Sequence, residues 1–264
     1  MARRCRTVRS TFTEESDLIH YHGGPLGKIS EAHEFFSGRH SLISFQHPEE
    51  LEIIAEVSLS FIFDNGAFSV WKRGGTLDVE GYYEWVSNWK HHPGFDWALI
   101  PDVIEGSEEE NDALVDEWPY QVQGVPVWHL NESIERLERL ANERSRNSIG
   151  TTTGMTPGSK KFWVRMASAM EAVCDAEGRP RCKLHGLRML DPNIFSCVPF
   201  ASSDSANAAL NSFMYGRNFG IYQPQKRSQR ANVIADRIES CNSAPVWNPN
   251  GSILIQEEIQ LCGQ

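Results

Sequence analysis

The chain has 264 residues, of which 40% are hydrophobic, and this is enough apolar material for a sizeable buried core. Intrinsic disorder is therefore excluded as the dominant state. Asp and Glu together number 35 against 25 Lys and Arg, which leaves a formal net charge of −10. A protein with this charge does not bind nucleic acid through its overall field, so a polynucleotide partner would have to meet a local basic patch.

The ends of the chain and its cysteines predict the compartment. The N-terminal segment carries arginines but lacks the apolar run that follows them in a secretory signal. No stretch approaches the roughly 18 apolar residues of a membrane span, so we expect a cytoplasmic protein without a membrane partner. The 6 cysteines are scattered without a Cys-x-x-Cys pair, which predicts free thiols.

Short apolar or β-branched runs alternate with helix-like segments from about residue 18 onwards. The predicted strands are Leu18–Gly23, Ser41–Phe45, Phe61–Asp64, Trp97–Asp102, Val125–Leu130, Ser148–Thr152, Lys183–Leu190 and Phe200–Asp204. Strands that alternate with helices pair in parallel, and eight such units in about 190 residues predict a small α/β barrel of the (β/α)8 TIM type. A doubly wound open sheet is the alternative.

Helix signals lie between these strands. The predicted helices are Glu49–Leu59 after Pro48, Val79–Lys90 after Asp78, one with a capping box at Ser107 and Glu110, one capped by Asn131, one between Ser159 and Gly178, a short one at Pro192–Phe195, and Gln229–Cys241. We expect one domain over residues 1–264, with the barrel at about 18–215 and a short helical tail at about 216–264.

Ionisable side chains recur at the carboxyl ends of the predicted strands, where barrels of this type carry their chemistry. They are His20, His22, Asp64, Asp102, His129, His185 and Asp204. Any one of them alone is typical of a helix cap, a turn or a hydrogen-bonded wall residue. Together they predict an active site in which burial and like-charge proximity separate the carboxylate pKa values.

Three segments are more specific. Asp64 directly follows an apolar strand, and the small pair Asn65 and Gly66 is expected to let a flat ligand approach the backbone. His185 and Gly186 similarly place an ionisable side chain before a small residue at a strand end. Asp204 ends the last strand between small hydroxyl residues and leads into a helix whose free amides are expected to steady its negative charge.

At these residues the sequence resembles the tRNA-guanine transglycosylase superfamily, whose members exchange guanine in a polynucleotide for a 7-deazaguanine. It looks most like the short phage and prophage branch associated with 7-deazaguanines in DNA. Asp64-Asn-Gly-Ala-Phe-Ser69 is similar to the family's Asp-Ser-Gly-Gly-Phe-Gln segment, and Ser203-Asp204-Ser205-Ala206 is similar to its Asp-Ser-Ala segment. Ile149-Gly150-Thr151 and Leu184-His185-Gly186 fall at the family's glycine-containing strand ends, so the order of motifs is preserved.

The resemblance implies a role for each matched residue. Asp204 would attack C1′ of the target nucleotide and displace guanine, and Asp64 would be the general acid and base. Asp102 would read N1 and the exocyclic amino group of the purine. The other implied contacts to the base are Asn65, Gly66, His129, Gly150, His185 and Gly186. The resemblance implies no cofactor, and it implies a 7-deazaguanine base such as preQ0 or a derivative as the second substrate.

The sequence departs from the family after the nucleophile. The usual cluster of three Cys and a His that binds zinc has no counterpart, so we expect no zinc subdomain, and this favours DNA over tRNA. The predicted phosphate contacts are Arg217, Lys226, Arg227 and Arg230, with a solvated helix face as the alternative. The target guanine would have to leave the base stack. Barrels of this family often pair, so a homodimer is a further expectation.

Other activities suit some of the same residues. In a metal-dependent amidohydrolase, His20 and His22 would share a metal with His129, His185 and Asp204. In a glycoside or nucleoside hydrolase, two carboxylates would work with water instead of a second purine. A tRNA substrate and a catalytically inactive binder on the same fold are the remaining alternatives.

Overall fold

The computed structural model describes residues 17–119, 123–214, 219 and 223–249. Their strands form one parallel sheet. The strands are β1 (Ile19–Gly23), β2 (His40–Ser44), β3 (Ser60–Asp64), β4 (Phe95–Leu99), β5 (Gly124–Val125), β6 (Val127–His129), β7 (Arg146–Gly150), β8 (Lys183–Gly186) and β9 (Ser202–Ser205). Their spatial order is β5-β4-β3-β2-β1-β9-β8-β7-β6.

The sheet is a nearly closed barrel. Its two end strands, β5 and β6, are separated along the chain only by Pro126, and they pair with β4 and β7 respectively. They are the two halves of the single strand predicted over Val125–Leu130, which the proline splits because it has no N–H to donate to a ladder. The predicted TIM-type α/β barrel is confirmed, and the doubly wound open sheet is wrong.

Most helices of the described residues lie between the strands, and the last two follow β9. They are α1 (Ile29–Phe36), α2 (Leu51–Val57, after a 3-10 turn at Pro48–Glu50), α3 (Ala67–Lys72), α4 (Val79–Trp89), α5 (Glu108–Glu117), α6 (Ile134–Glu143), α7 (Lys160–Val173), α8 (Pro192–Phe195), α9 (Asn207–Asn211) and α10 (Arg227–Glu239). None of the helices in this part of the chain combines the length and the apolar character needed to cross a membrane.

The helix starts agree with most of the predicted caps. Asp78, Ser107 and Ser159 each accept a hydrogen bond from a backbone N–H of the first turn. The cap predicted at Asn131 is wrong, because Ser133 accepts the bond from Arg136 N and the helix begins after it. α1 and α3 were not predicted, since neither begins with a side-chain cap.

The side chains of the strands separate into two apolar layers because successive residues point to opposite faces. The larger cluster fills the space between the sheet and the helices. The smaller one fills the barrel and contains Tyr21, Ile62, Trp97 and Val125. A side chain that shares the face of Tyr21 therefore points into the barrel, toward its mouth if it lies at the end of a strand.

Candidate active site

A cavity of about 380 Å³ opens at the carboxyl end of the barrel. Its described wall includes Asp64, at the end of β3, and Asp204, in β9, together with Glu50, Phe68 and Arg188. This volume lies within the usual range for small-molecule sites. The structure thus brings the two carboxylates with predicted catalytic roles to one cavity, where the barrel arrangement placed them.

Asp204 is held by the loop and strand beside it. Its Oδ1 accepts hydrogen bonds from the backbone N of Arg188 and from Nε2 of His185, both at 3.0 Å. The expectation that amides of the following helix steady this charge is wrong. The first amide of α9, that of Asn207, donates to Ser205 Oγ instead, so the donors come from the β8 strand and its loop.

His185 contacts the carboxylate of Asp204. Its fully buried ring meets the Trp97 ring edge-on, with centroids 4.8 Å apart, and lies within hydrogen-bond distance of Asp204. Packing requires a glycine at position 186, because a Cβ there would come within 2.6 Å of the Phe200 ring. These contacts are made within the protein, and the part of both residues in binding the purine stays a prediction.

Asp64 lies in different surroundings from Asp204. Burial raises the pKa of Asp64, and the negative charges of Asp204 and Asp102 raise it further, while the guanidinium of Arg188 opposes the rise. A carboxyl group with an elevated pKa holds a proton closer to neutral pH and can give it to a leaving group. The electrostatics of Asp64 thus suit a proton carrier.

Arg188 is a site residue whose role was not predicted from the sequence. It adopts a positive φ of 59°, which turns its backbone N–H toward Asp204. Its guanidinium carbon lies 3.7 Å from the centroid of the Phe68 ring, so the two flat groups stack at the cavity wall. The signal available in the sequence was an arginine two residues beyond a His-Gly strand end.

Glu50 is a second wall residue that the sequence did not reveal. It is 5% exposed, and its Oε1 accepts hydrogen bonds from the backbone N of Leu26 at 2.7 Å and of Gly27 at 2.8 Å. Its Oε2 has no hydrogen-bond partner among the described residues. Burial raises the pKa of this carboxyl, although the two backbone donors oppose the rise. In the sequence it resembles any acidic residue in the first turn of a helix.

Asp102 and His129 form a separate cluster that is not part of the described cavity wall. Asn65 Nδ2 donates to Asp102 Oδ1 at 2.8 Å, and His129 Nε2 lies 2.9 Å from Asp102 Oδ2, as an ion pair poorly aligned for a hydrogen bond. Burial opposes a charge on His129, but Asp102 and Glu132 outweigh it and raise its pKa to about 9. These predicted base contacts already have partners inside the protein.

Arg136 completes this cluster. Its Nη1 donates to Glu132 Oε2 at 2.7 Å, and its Nε donates to Asp112 Oδ1 at 2.9 Å. Burial opposes ionisation of Glu132, but His129 and Arg136 outweigh it and lower the pKa of the carboxyl. Each buried charge in the cluster therefore faces an opposite one.

The other predicted glycines are explained by local packing. Gly66 has a φ of 78°, and a Cβ there would lie 2.4 Å from Gln46 Cγ, so a side chain fills the space on its Cβ side. At Gly150 a Cβ would lie 3.2 Å from His129 Cδ2 and from Val127 Cγ1. Both glycines thus permit close packing at the strand ends, and their contact with the base stays a prediction.

The predicted phosphate contacts Arg227 and Arg230 are wrong. They are 8% and 4% exposed, and they donate hydrogen bonds to backbone carbonyl groups, Arg227 to Pro25 and Ala209 and Arg230 to Ser212. They join the loop after β1 to the segment after α9, beside the cavity. A guanidinium used in this way is not available to a phosphate.

The two other members of the basic cluster differ from these arginines. Lys226 is exposed at the start of α10, with its Nζ 3.2 Å from Glu34 Oε2. Arg217 lies outside the described residues. The structure therefore leaves Lys226 as the one predicted phosphate contact that lies at the surface of the described region.

The histidines required by the amidohydrolase alternative do not come together. His20 and His22 lie on the helix side of β1, where their Nε2 atoms contact Cys241 O at 3.1 Å and Glu239 Oε1 at 3.0 Å. His185 lies on the barrel side. Among the described residues, no group of three or more His, Cys, Asp or Glu is arranged to hold a metal ion.

Comparison with known proteins identifies the architecture. No family model matches the chain, and no curated protein matches it. Two mutants of the tryptophan synthase alpha-subunit from Pyrococcus furiosus match it with TM-scores of 0.52, at 10% and 11% identity. Each match covers 85% of this chain and 96% of the other. The likeness shows the fold.

Proposed function

We propose that the protein is a base-exchange transglycosylase that replaces guanine in a polynucleotide, with DNA favoured over tRNA, by a 7-deazaguanine. The observation that carries this proposal is the presence of Asp64 and Asp204 in the wall of one cavity, in unlike surroundings. Hydrogen-bond donors hold Asp204, and burial raises the pKa of Asp64. Carboxyl groups that differ in this way suit a nucleophile and a proton carrier.

The reaction has two halves that use the same pair of residues. First, a carboxylate oxygen of Asp204 bonds to C1′ while the C1′–N9 bond breaks, and the electron pair leaves with guanine, which takes a proton from Asp64. Then Asp64 accepts the proton from N9 of the incoming base. That nitrogen bonds to C1′ and displaces the carboxylate of Asp204, so both residues return to their starting states.

The stacked pair of Arg188 and Phe68 supports a flat ligand in this cavity. Planar guanidinium and aromatic groups offer faces on which a purine stacks. The positive charge of Arg188 also favours the anionic form of a departing base. Since the chemistry occurs at C1′ with the base exchanged, the target nucleotide has to be extruded from a duplex or lie in a single strand.

The first experiment is incubation of the protein with guanine-containing DNA or tRNA and labelled guanine. We expect label to enter the polymer, and we expect a covalent protein–DNA adduct on a denaturing gel. Abasic sites without label would instead indicate a nucleoside hydrolase, and label entering only tRNA would reverse the polymer preference. Nucleoside mass spectrometry of DNA and tRNA from cells supplied with a 7-deazaguanine then identifies the inserted base.

A further inference from the structure

A chain of hydrogen bonds reaches Asp204 from inside the barrel. Arg146 Nη1 donates to Ser202 Oγ at 2.8 Å, and Ser202 Oγ lies 2.9 Å from His185 Nδ1. His185 Nε2 in turn lies 3.0 Å from Asp204 Oδ1. Ser202 and His185 are fully buried, and Asp204 is 3% exposed. Bulk water therefore does not compete for these links.

The direction of each link follows from Arg146, because a guanidinium donates hydrogen bonds and never accepts them. Ser202 Oγ accepts from Arg146, and its only other hydrogen-bond partner among the described residues is His185 Nδ1. Because a buried hydroxyl proton without an acceptor is costly, Ser202 gives its single proton to His185 Nδ1. A neutral imidazole that accepts at Nδ1 carries its proton on Nε2, and this proton points at Asp204. Burial lowers the pKa of His185, against the pull of Asp204, and the charge of Arg146 also lowers it, which keeps the ring neutral.

Arg146 is itself fixed inside the barrel. Its guanidinium carbon lies 5.2 Å from the centroid of the Trp97 ring. Burial lowers the pKa of Arg146, while nearby Tyr21 and Asp96 oppose that effect. Tyr21 donates a hydrogen bond to Asp96 Oδ2 at 2.6 Å, so this carboxylate is also held in place. The chain of donors thus begins at an anchored cation.

The two oxygens of Asp204 are left in different states. Oδ1 takes both donors, from His185 and from the backbone of Arg188, whereas Oδ2 has no hydrogen-bond partner among the described residues. We infer that Arg146, Ser202 and His185 are positioning residues that hold Asp204 through Oδ1 and present Oδ2 as the atom that bonds to C1′. The chemical part of this inference rests on the proposed transglycosylase function.

The tautomer of His185 tests the chain of hydrogen bonds without any turnover. In protein labelled with ¹⁵N-histidine, with the His185 signals assigned by their loss in His185→Gln, we expect a protonated Nε2 and an unprotonated Nδ1 at neutral pH. Ser202→Ala should produce a mixture of tautomers, and Ser202→Thr should restore the single one. A proton on Nδ1 in the wild type, or a tautomer unchanged in Ser202→Ala, would overturn the inference.

The rate of adduct formation tests the positioning of the nucleophile. In Ser202→Ala we expect adduct formation on DNA to slow roughly tenfold or more, as when buried histidines lose their orienting partner at metal sites, with KM unchanged. Ser202→Thr should recover the rate. Ser203→Ala is the matched control, because its hydroxyl lies on the same strand but donates to Gly186 O at 2.7 Å, and we expect a wild-type rate from it.

The two readouts separate the inference from the proposed function. A shifted tautomer with an unchanged adduct rate in Ser202→Ala would show that the chain of hydrogen bonds does not position the nucleophile. A wild-type protein that forms no adduct with any polynucleotide would overturn the proposed function and the role of Oδ2 together. The single tautomer of His185 would still establish the arrangement around Asp204 in that case.

Discussion

Two groups of carboxylates lie at the same end of the barrel, and they differ in how far nearby positive charges neutralise them. Asp102 and Glu132 face His129 and Arg136, so their charges are compensated within the protein. In the described part of the cavity wall, Asp64 and Asp204 face only one guanidinium, that of Arg188. The pKa of Asp64 is raised. Paired charges hold loops together, whereas charges left open to a cavity are available for chemistry.

The largest effect should come from the nucleophile of the open group. Asp204→Asn keeps the shape of the side chain but removes its negative charge, so we expect base exchange and adduct formation to fall by about 10⁴-fold or more. Labelled-guanine incorporation and a denaturing gel measure both. Asp236→Asn, at an exposed carboxylate on α10, is the control and should keep full activity. An adduct formed by the Asp204 variant would assign the nucleophile elsewhere.

The next largest effect should be a loss of stability when the ion pair between Arg136 and Glu132 is broken. Arg136→Met leaves Glu132 buried without its guanidinium, and we expect a loss of about 3–5 kcal/mol in the free energy of unfolding, measured in urea. Arg139→Met is the matched control on the same helix, since Arg139 is 42% exposed in its pair with Asp112, and it should cost less than about 1 kcal/mol. Equal losses would mean that compensation does not stabilise this group.

The compensated group should also make stability depend on pH. The pKa of His129 is about 9 in the folded protein and about 6.5 in the unfolded chain. Protonated His129 therefore contributes its full stabilisation below about pH 6.5. It should be lost as the pH rises through about 9, at a cost of roughly 3 kcal/mol. Urea titrations across this range measure the slope. His129→Gln should flatten it, and an unchanged slope in that variant would assign the effect to another group.

A smaller effect on turnover should follow from substitution of Asp64, the proposed proton carrier. For Asp64→Asn we expect turnover to slow by roughly 100-fold while base binding is kept, because general acid and base catalysis contributes about this much. Single-turnover kinetics and equilibrium binding of the free base separate the two quantities. Unchanged turnover would remove Asp64 from the mechanism.

The smallest change in stability should come from Arg188→Gly. Glycine adopts the positive φ of this position without strain and keeps the N–H that holds Asp204, so we expect stability to change by less than about 1 kcal/mol. Loss of the guanidinium should raise the pKa of Asp64, because Arg188 lowers it in the wild type. The pH–rate profile should then move to higher pH. A profile that does not move would show that Arg188 does not tune Asp64.

The sequence predicted what depends on local order. Alternating strands and helices gave the barrel, and the residues at strand ends placed Asp64 and Asp204 at one mouth. What it could not show depends on chain segments that meet from far apart. Arg227 donates to the carbonyl group of Pro25, which is 202 residues away along the chain, and no local pattern distinguishes it from a solvated arginine.

The same limit applies to the polar residues of the site. Asp102 and Asp204 look alike in the sequence, as aspartates at or after a strand. Only the fold shows that Asn65 and His129 contact the carboxylate of Asp102, whereas one oxygen of Asp204 accepts no hydrogen bond from the described residues. Glu50 and Arg188 enter the cavity from turns between elements, where periodicity gives no information on direction.

The interruption at Pro126 makes the barrel a split ring. β4 pairs with the half before the proline and β7 with the half after it, so the covalent backbone through Pro126, and not a hydrogen-bonded ladder, joins the two ends of the sheet. Amide hydrogen exchange should therefore be faster at Gly124 and Val127 than in β1, which is paired on both sides. One covalently continuous strand, interrupted at a proline, thus connects the two ends of the ring.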